Sequence, residues 1–328
     1  MRIAVDAFGG DNAPEAVVEG AILASNSLGG DKNNDLEILL VGDEEKLKKL
    51  LHNRAYGSIK IVDAKEVITN FDAPTVAIRK KKNSSMIVAL NLVKDKKADA
   101  FVSAGNTGAI LAGALTILGR IRGVNRPALA PILPTDRGAC VLIDGGANVN
   151  CKPINLLQFA LMGSVYAKEM LGRKEPLVGL VNNGSEEGKG SDLTKEAYGL
   201  LKNGDLRFAG NVEAREIPYG VVDVIVCDGF VGNVILKLTE GVAGALMGNV
   251  KKLFLSGLLS KAAALLLSKN LSALKKKMDY TEQGGAPFLG VNGTVIKAHG
   301  NSNAKVMYHT IIQATRLVHI EDLIRKQF

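Results

Sequence analysis

Ser103-Ala104-Gly105-Asn106-Thr107-Gly108 follows a short strand-like run, Ala100-Phe101-Val102, and precedes an apolar helical run from Ala109 to Leu118. A strand that turns through glycines into a helix leaves the first helical amides unpaired, and such ends bind anions. Asn106 and Thr107 add side-chain donors, while Gly105 and Gly108 remove the Cβ atoms that would hold a ligand off the main chain. Three further stretches share the pattern: Asp6-Ala7-Phe8-Gly9-Gly10-Asp11, Asp144-Gly145-Gly146-Ala147-Asn148 and Asp228-Gly229-Phe230-Val231-Gly232-Asn233. A fifth, Lys297-Ala298-His299-Gly300-Asn301-Ser302-Asn303, follows the run Thr294 to Ile296. Strand, glycine turn and helix in succession predict βαβ units. They imply an α/β fold on an open, mostly parallel, Rossmann-like sheet with helices on both faces. Loops of this kind emerge together at the carboxyl edge of the sheet, so the five predict one polar, amide-rich pocket.

Outward from these turns, strands are expected at Arg2 to Val5, Leu36 to Val41, Ile59 to Val62, Leu177 to Val181, Arg207 to Phe208 and Val222 to Cys227. Ala128 to Leu133 and Ala139 to Ile143 flank a turn at Pro134 to Gly138, which predicts one antiparallel hairpin. The helix after Asn233 carries Gly241, Gly244 and Gly248, a pattern that implies close packing against another element.

From Gly241 to Met278 there is no acidic residue but there are seven lysines. Ala264, Leu267, Leu271, Leu274 and Met278 recur at spacings of 3 and 4, opposite Lys261, Lys269 and Lys276, and Ser256-Gly257 marks a break upstream. Residues 250–278 therefore read as a basic amphipathic helical hairpin protruding from a single unit spanning 1–328. Lysines interrupt it too often for a membrane span. Its apolar face at Leu267, Leu271 and Leu274 suits peripheral contact with an anionic membrane, or packing across a dimer.

The chain has 328 residues, 47% hydrophobic but only 5% aromatic, and a formal charge of +8. Attraction to an acidic partner follows, whereas the lack of Trp and of a basic stripe interleaved with aromatics argues against nucleic acid. Cys140, Cys151 and Cys227 form no Cys-x-x-Cys pair, which argues against a disulfide framework and a zinc site. No leader-like segment precedes Arg2, so a cytoplasmic location is expected.

No Walker string, Gly-x-Gly-x-x-Gly fingerprint or Gly-x-Ser-x-Gly elbow occurs, and no cysteine sits in a glycine turn. His299, beside Lys297, is the one histidine in such a turn, a candidate for acid–base work or anion binding as well as for a structural role. Asp6, Asp11, Asp144 and Asp228 do not form a dense carboxylate cluster and read as helix caps and loop ties, with no metal expected.

Taken together, several strings resemble the bacterial phosphate acyltransferases of phospholipid synthesis, the acyl-acyl-carrier-protein:phosphate acyltransferases. They are Val5 to Pro14, Arg79-Lys80-Lys81-Lys82-Asn83-Ser84-Ser85-Met86, Ser103 to Ala109, Arg126-Pro127-Ala128-Leu129-Ala130-Pro131, Gly210-Asn211-Val212-Glu213-Ala214-Arg215, Asp228 to Asn233 and Ile296 to Gly300. Phe8 and Asn12 depart from the family pattern, which commonly has Met and His there.

The resemblance implies transfer of a long acyl chain from an acyl-carrier-protein thioester to inorganic phosphate. It also implies a fold similar to isocitrate and isopropylmalate dehydrogenases, a homodimer peripherally associated with the inner face of the cell membrane, and no metal, nucleotide or other cofactor. Under this reading His299, Lys297, Asn106 and Asn233 are the candidate catalytic residues, with Asn148 a further candidate for the oxyanion. Asp6, Gly9, Gly10, Asp11, Gly105, Thr107, Gly108, Asn148, Asp228 and Gly229 are candidate substrate ligands. Arg79, Lys80 and Lys81 are candidates for docking the acidic carrier protein. An acyl-coenzyme A phosphotransferase and a non-enzymatic membrane-surface scaffold are the competing readings.

Overall fold

The structure, a computed structural model, describes residues 1–28, 36–272 and 284–328. Short buried runs form the first sheet: β1 (Arg2–Asp6), β2 (Glu37–Gly42), β3 (Ile59–Asp63), β4 (Ala100–Ser103) and β5 (Ala128–Leu129). The second sheet takes β6 (Ile132–Thr135), β7 (Gly138–Ile143), β8 (Val178–Asn182), β9 (Phe208–Glu213) and β10 (Val224–Val226), and β11 (Ala286–Leu289) and β12 (Thr294–Lys297) return to the first. The seven-stranded order is β3-β2-β1-β4-β12-β11-β5 and the five-stranded order is β6-β7-β10-β8-β9. Among the named strands of the described residues, the pairings of β11 with β12 and β5, and of β6 with β7, are antiparallel and the rest are parallel.

Helices α1 (Glu15–Leu28), α2 (Glu44–Leu51), α3 (Pro74–Lys80), α4 (Ser85–Lys94) and α5 (Thr107–Gly113) alternate with strands of the first sheet. α6 (Pro153–Leu171) and α7 (Asp192–Lys202) serve the second. They are followed by α8 (Gly229–Leu255), α9 (Leu258–Leu266), α10 (Ala304–Leu317) and α11 (Ile320–Arg325).

The expectation of one sheet is thus corrected to two. The expected strand Ala128 to Leu133 is divided between them. Ala130 N donates to Pro287 O at 3.0 Å on the first sheet, and Pro131 O accepts from Leu142 N at 2.9 Å on the second. Pro131 has no N–H with which to continue a ladder, so the chain changes sheets there. The hairpin forms as expected, with Thr135 opposite Gly138. The strand expected at Arg207 to Phe208 runs on to Glu213. Gly210, at φ +99°, and a register shift opposite Val178/Gly179 interrupt the alternation that would have marked it.

α6 joins the halves. Pro153 occupies its first turn and Gly172 ends it in a left-handed cap. Phe159, Met162 and Tyr166 share one buried cluster with Val5 and Val102 of the first sheet and Ile143 and Val226 of the second. Tyr166 Oη accepts from Gln313 Nε2 of α10 at 2.9 Å, so the polar end of that buried ring is satisfied.

α8 begins at Gly229, ahead of the expected start, and runs 27 residues with only Gly229, Gly232 and Ile235 buried. Its length and composition would allow it to cross a membrane. The break at Ser256-Gly257 is present, and α9 has no buried residue. Gly241, Gly244 and Gly248 do not pack closely: a Cβ added at any of them would meet nothing within 4 Å. Leu267 is exposed and Leu271 half-buried. Leu274 and Met278 lie outside the described residues.

Candidate active site

A cleft of about 560 Å³ opens at the carboxyl ends of β4, β7 and β12. Gly105, Asn106, Thr107 and Gly108 form one wall, Gly145 and Gly146 another, and Lys297 to Gly300 a third. α8 closes the cleft with Asn233, Leu236, Lys237 and Glu240, one helical face at successive spacings of 3, 1 and 3.

The Asp6 turn supports this cleft from below. The buried Asp6 carboxylate accepts from Ser85 Oγ at 2.6 Å and Ser103 Oγ at 2.7 Å, and Ser103 Oγ in turn accepts from Gly105 N at 2.9 Å. Burial raises the Asp6 pKa above 3.8 despite these donors. Gly9 is required by closeness, since a Cβ there would lie 2.8 Å from Gly105 N. Gly10, at φ +108°, would place one 2.8 Å from Ala104 Cβ. Asp6, Gly9 and Gly10 therefore shape the Gly105 turn rather than line the cleft. Asp11 N donates to Gly300 O at 2.8 Å, and the Asp11 carboxylate accepts from Asn70 Nδ2 at 3.3 Å, which brings Asn70 to the cleft edge. Asn12 Nδ2 donates to Asn301 O at 2.9 Å, fastening the first turn to the fifth.

Asn106 Oδ1 caps α5 by accepting from Ala109 N at 3.0 Å, which leaves its Nδ2 hydrogens for a ligand. Asn148 and Asp228, expected to bind substrate, make framework contacts here. Asp144, fully buried, accepts from Leu129 N, Gly146 N, Ala147 N, Asn148 N and Asn148 Nδ2. Asn148 Nδ2 also donates to Pro127 O at 2.7 Å, so its amide is occupied. Asp228 caps α8, accepting from Phe230 N and Val231 N at 2.9 Å each. Gly229 is likewise buried, and a Cβ there would lie 2.7 Å from Asn148 N.

Lys297 Nζ donates to Ala104 O at 3.2 Å and to Ala298 O, leaving a third hydrogen for the cleft. Burial pulls this ammonium down from 10.5 to about 8, with the Asp11 and Asp6 carboxylates opposing. His299 Nε2 lies 3.8 Å from Glu240 Oε2, while its Nδ1 accepts from Asn301 N at 3.4 Å. The Glu240 carboxylate raises the imidazole above 6.5 against the opposing effects of burial and Lys297. Lys237, Glu240 and Asn70 were not singled out in the sequence; the helical period running on from Asn233 was the available signal for the first two.

Arg79 and Lys80 are exposed in the last turn of α3. Lys81 is not part of that free surface: its Nζ donates to Asp72 Oδ2 at 2.7 Å and to Val67 O at 2.9 Å. Lys81 and the Thr69 donors hold the Asp72 carboxyl down to about 2. Between Asn70 and Asp72, Phe71 is 99% exposed. α3 abuts the cleft wall, because a Cβ at Gly108 would lie 3.0 Å from Pro74 Cγ. Burial pushes the thiols of Cys140 up to about 12 and Cys151 up to about 11, and raises that of Cys227, so none is primed as a nucleophile. Among the described residues no group of three His, Cys, Asp or Glu side chains could hold a metal ion.

The cleft of glycine turns sets Lys297, Lys237 and His299 opposite an amide-rich wall, an arrangement chemically suited to an anion. The family described as "Fatty acid synthesis protein" matches residues 1–324, and the chain belongs to it. A phosphate acyltransferase of Alkaliphilus oremlandii is 53% identical over 320 residues, covering 97% of this chain and 94% of the relative. One from Acetivibrio thermocellus is 50% identical over 332 residues, covering 100% and 96%. Among solved structures, a phosphotransacetylase from Streptococcus pyogenes has a TM-score of 0.62 at 19% identity, covering 97% of this chain and 94% of that one. At that identity the likeness is one of fold.

Proposed function

We propose that this chain transfers a long acyl group from an acyl-carrier-protein thioester to inorganic phosphate, giving acyl phosphate for phospholipid synthesis. The acyltransferase class and the phosphate acceptor follow from family membership. The observation that carries the reading is the apposition of Lys297 and His299 to the Asn106–Gly108 wall across one cleft.

Phosphate is a good nucleophile already at neutral pH, so the site must aim and desolvate it more than deprotonate it. The free amides of Thr107 and Gly108, Asn106 Nδ2 and the Lys297 ammonium supply that aim. A phosphate oxygen attacks the thioester carbon, forming the C–O bond. The charge gathering on the thioester oxygen is met by Asn106 or Asn233. Collapse breaks the C–S bond, with the electron pair leaving on sulfur, and His299 gives that sulfur a proton. The proton carried in by hydrogen phosphate then recharges the imidazole, so the products are acyl phosphate and free thiol with no proton left over.

Arg79 and Lys80, with the exposed Phe71 next in sequence to the cleft-lining Asn70, offer the acidic carrier protein a basic rim and an apolar contact. The 250–278 arm, basic and carrying exposed leucines, holds the enzyme peripherally on the inner face of the anionic cell membrane and contributes to a homodimer. We read the body as one 1–328 unit of the isocitrate and isopropylmalate dehydrogenase type. The deciding experiment mixes enzyme, phosphate and a long-chain acyl-carrier protein and traps acyl phosphate with hydroxylamine. Phosphate-dependent hydroxamate is expected; none from the carrier protein but product from acyl-coenzyme A would reject the proposed donor.

A further inference from the structure

We propose that Glu240 is a positioning residue for His299, holding the imidazole at the cleft and keeping it charged for transfer of its proton to the departing sulfur. The inference rests on the reading of His299 as the proton donor, and the experiment below separates the two.

Three observations carry it. Glu240 Oε2 stands 3.8 Å from His299 Nε2; the Glu240 side chain is sheltered at 19% exposed, while the His299 ring, at 47%, stays open on its other side. His299 Nδ1 accepts the Asn301 amide at 3.4 Å, which in the neutral ring places the hydrogen on Nε2, the nitrogen toward Glu240. The His299 carbonyl is itself fixed by Ser302, whose Oγ donates to it at 2.6 Å and whose N donates at 3.1 Å. Backbone and ring are therefore both held, with Glu240 as the one partner contributed by α8.

The spacing matters for the chemistry. At 3.8 Å the pair is an ion pair rather than a hydrogen bond, so the Nε2 hydrogen is stabilised by charge without being committed to the carboxylate. A ligand sulfur entering the cleft can take it. Of the other charged groups around the ring, Lys297 at the end of β12 disfavours the imidazolium and Lys237 on the same α8 face carries the same sign, while the Asp11 carboxylate beside Gly300 carries the sign of Glu240. Glu240 is the largest influence that favours the charged ring.

The test compares Glu240→Gln, which keeps shape and removes charge, with Glu240→Asp, which keeps charge, in the full chain. The His299 ring is titrated by NMR on 13C-histidine protein, with His299→Gln used to assign its signal among the four histidines. In Glu240→Gln the His299 midpoint is expected at lower pH than in the wild type. The alkaline limb of kcat should move the same way, with kcat down about tenfold near pH 8 and KM for phosphate within about twofold. Glu240→Asp should recover both midpoint and limb in part. An unmoved His299 titration overturns the inference, as does a moved titration with an unmoved kcat profile while His299→Gln is impaired. If His299→Gln itself retains full turnover, the proton-donor reading fails, and with it the catalytic role of Glu240, whatever the titration shows.

Discussion

Ser103 donates its hydroxyl to the buried Asp6 carboxylate at 2.7 Å and accepts the Gly105 amide at 2.9 Å, so the cleft wall hangs from a charge that the cleft never exposes. Ser103→Ala leaves that carboxylate one donor short and Gly105 N without its acceptor. The expected cost is about 1–3 kcal/mol in urea unfolding. Its pH dependence is specific. The folded pKa of Asp6 is raised above 3.8, so this group's contribution to stability is full below 3.8 and declines as pH rises through the folded value. Ser103 favours the ionised form, so the deficit of Ser103→Ala should be larger at pH 8 than below pH 3.8, where the group is protonated in both states. Equal deficits at both would mean that Asp6 is not the partner that matters.

Lys297 gives the second pH signature. Its ammonium loses its proton near pH 8 in the fold, whereas the unfolded chain holds it to 10.5. The cost of burying the charge is therefore present below pH 8 and disappears as pH rises from 8 to 10.5. Phosphate affinity should move the other way, weakening as pH rises through about 8 while the charge is lost. Lys297→Arg keeps its charge over this range and should flatten the alkaline rise in KM for phosphate, even where kcat falls.

The α3 rim makes a prediction about the acyl donor. Arg79→Glu with Lys80→Glu should raise KM for the acyl-carrier protein by about tenfold and leave KM for phosphate within about twofold. Phe71→Ser should act in the same direction with no loss of thermal stability, because nothing packs on that ring. Lys81→Ala belongs to another class. It breaks the tie to Asp72, whose stabilising effect is present above the unfolded value of 3.8 and lost as pH falls toward about 2, so its signature is stability at neutral pH. An identical kinetic effect of Lys81→Ala and the Arg79/Lys80 pair would contradict the division drawn between them.

Much of this was legible from residue order. Four of the five strand–glycine–helix turns contribute residues to the cleft, because period and punctuation are local properties, while the Asp6 turn lies beneath it. The roles within the turns were not. Asn148 carries the same amide as Asn106 and Asn233, yet its Nδ2 is taken by Pro127 O and Asp144, and Asp228 Oδ1 is taken by the first amides of α8, which only three dimensions reveal. The split of Ala128 to Leu133 between sheets turned on Pro131, one residue in an otherwise regular apolar run. The α8 glycines divide in the same way: Gly232 is a packing necessity, while Gly241, Gly244 and Gly248 face open space.

Gly232 provides a sharp stability test of the two-sheet junction. A Cβ built there would lie 1.9 Å from Asp144 O, a backbone atom already fixed by the five donors that hold the Asp144 side chain. Gly232→Ala must therefore push α8 away from the β7 turn, at a cost of about 1–3 kcal/mol or more. The shift would also carry Asn233, Lys237 and Glu240 out of register with the opposite wall, so kcat/KM should drop along with the unfolding midpoint. Gly244→Ala, on the same helix with nothing within 4 Å, should instead raise stability by about 0.4–1 kcal/mol through the better helix propensity of alanine. If Gly244→Ala proves as damaging as Gly232→Ala, the far half of α8 is covered in solution. Sedimentation of the two variants against the wild type would then show whether a second copy covers it.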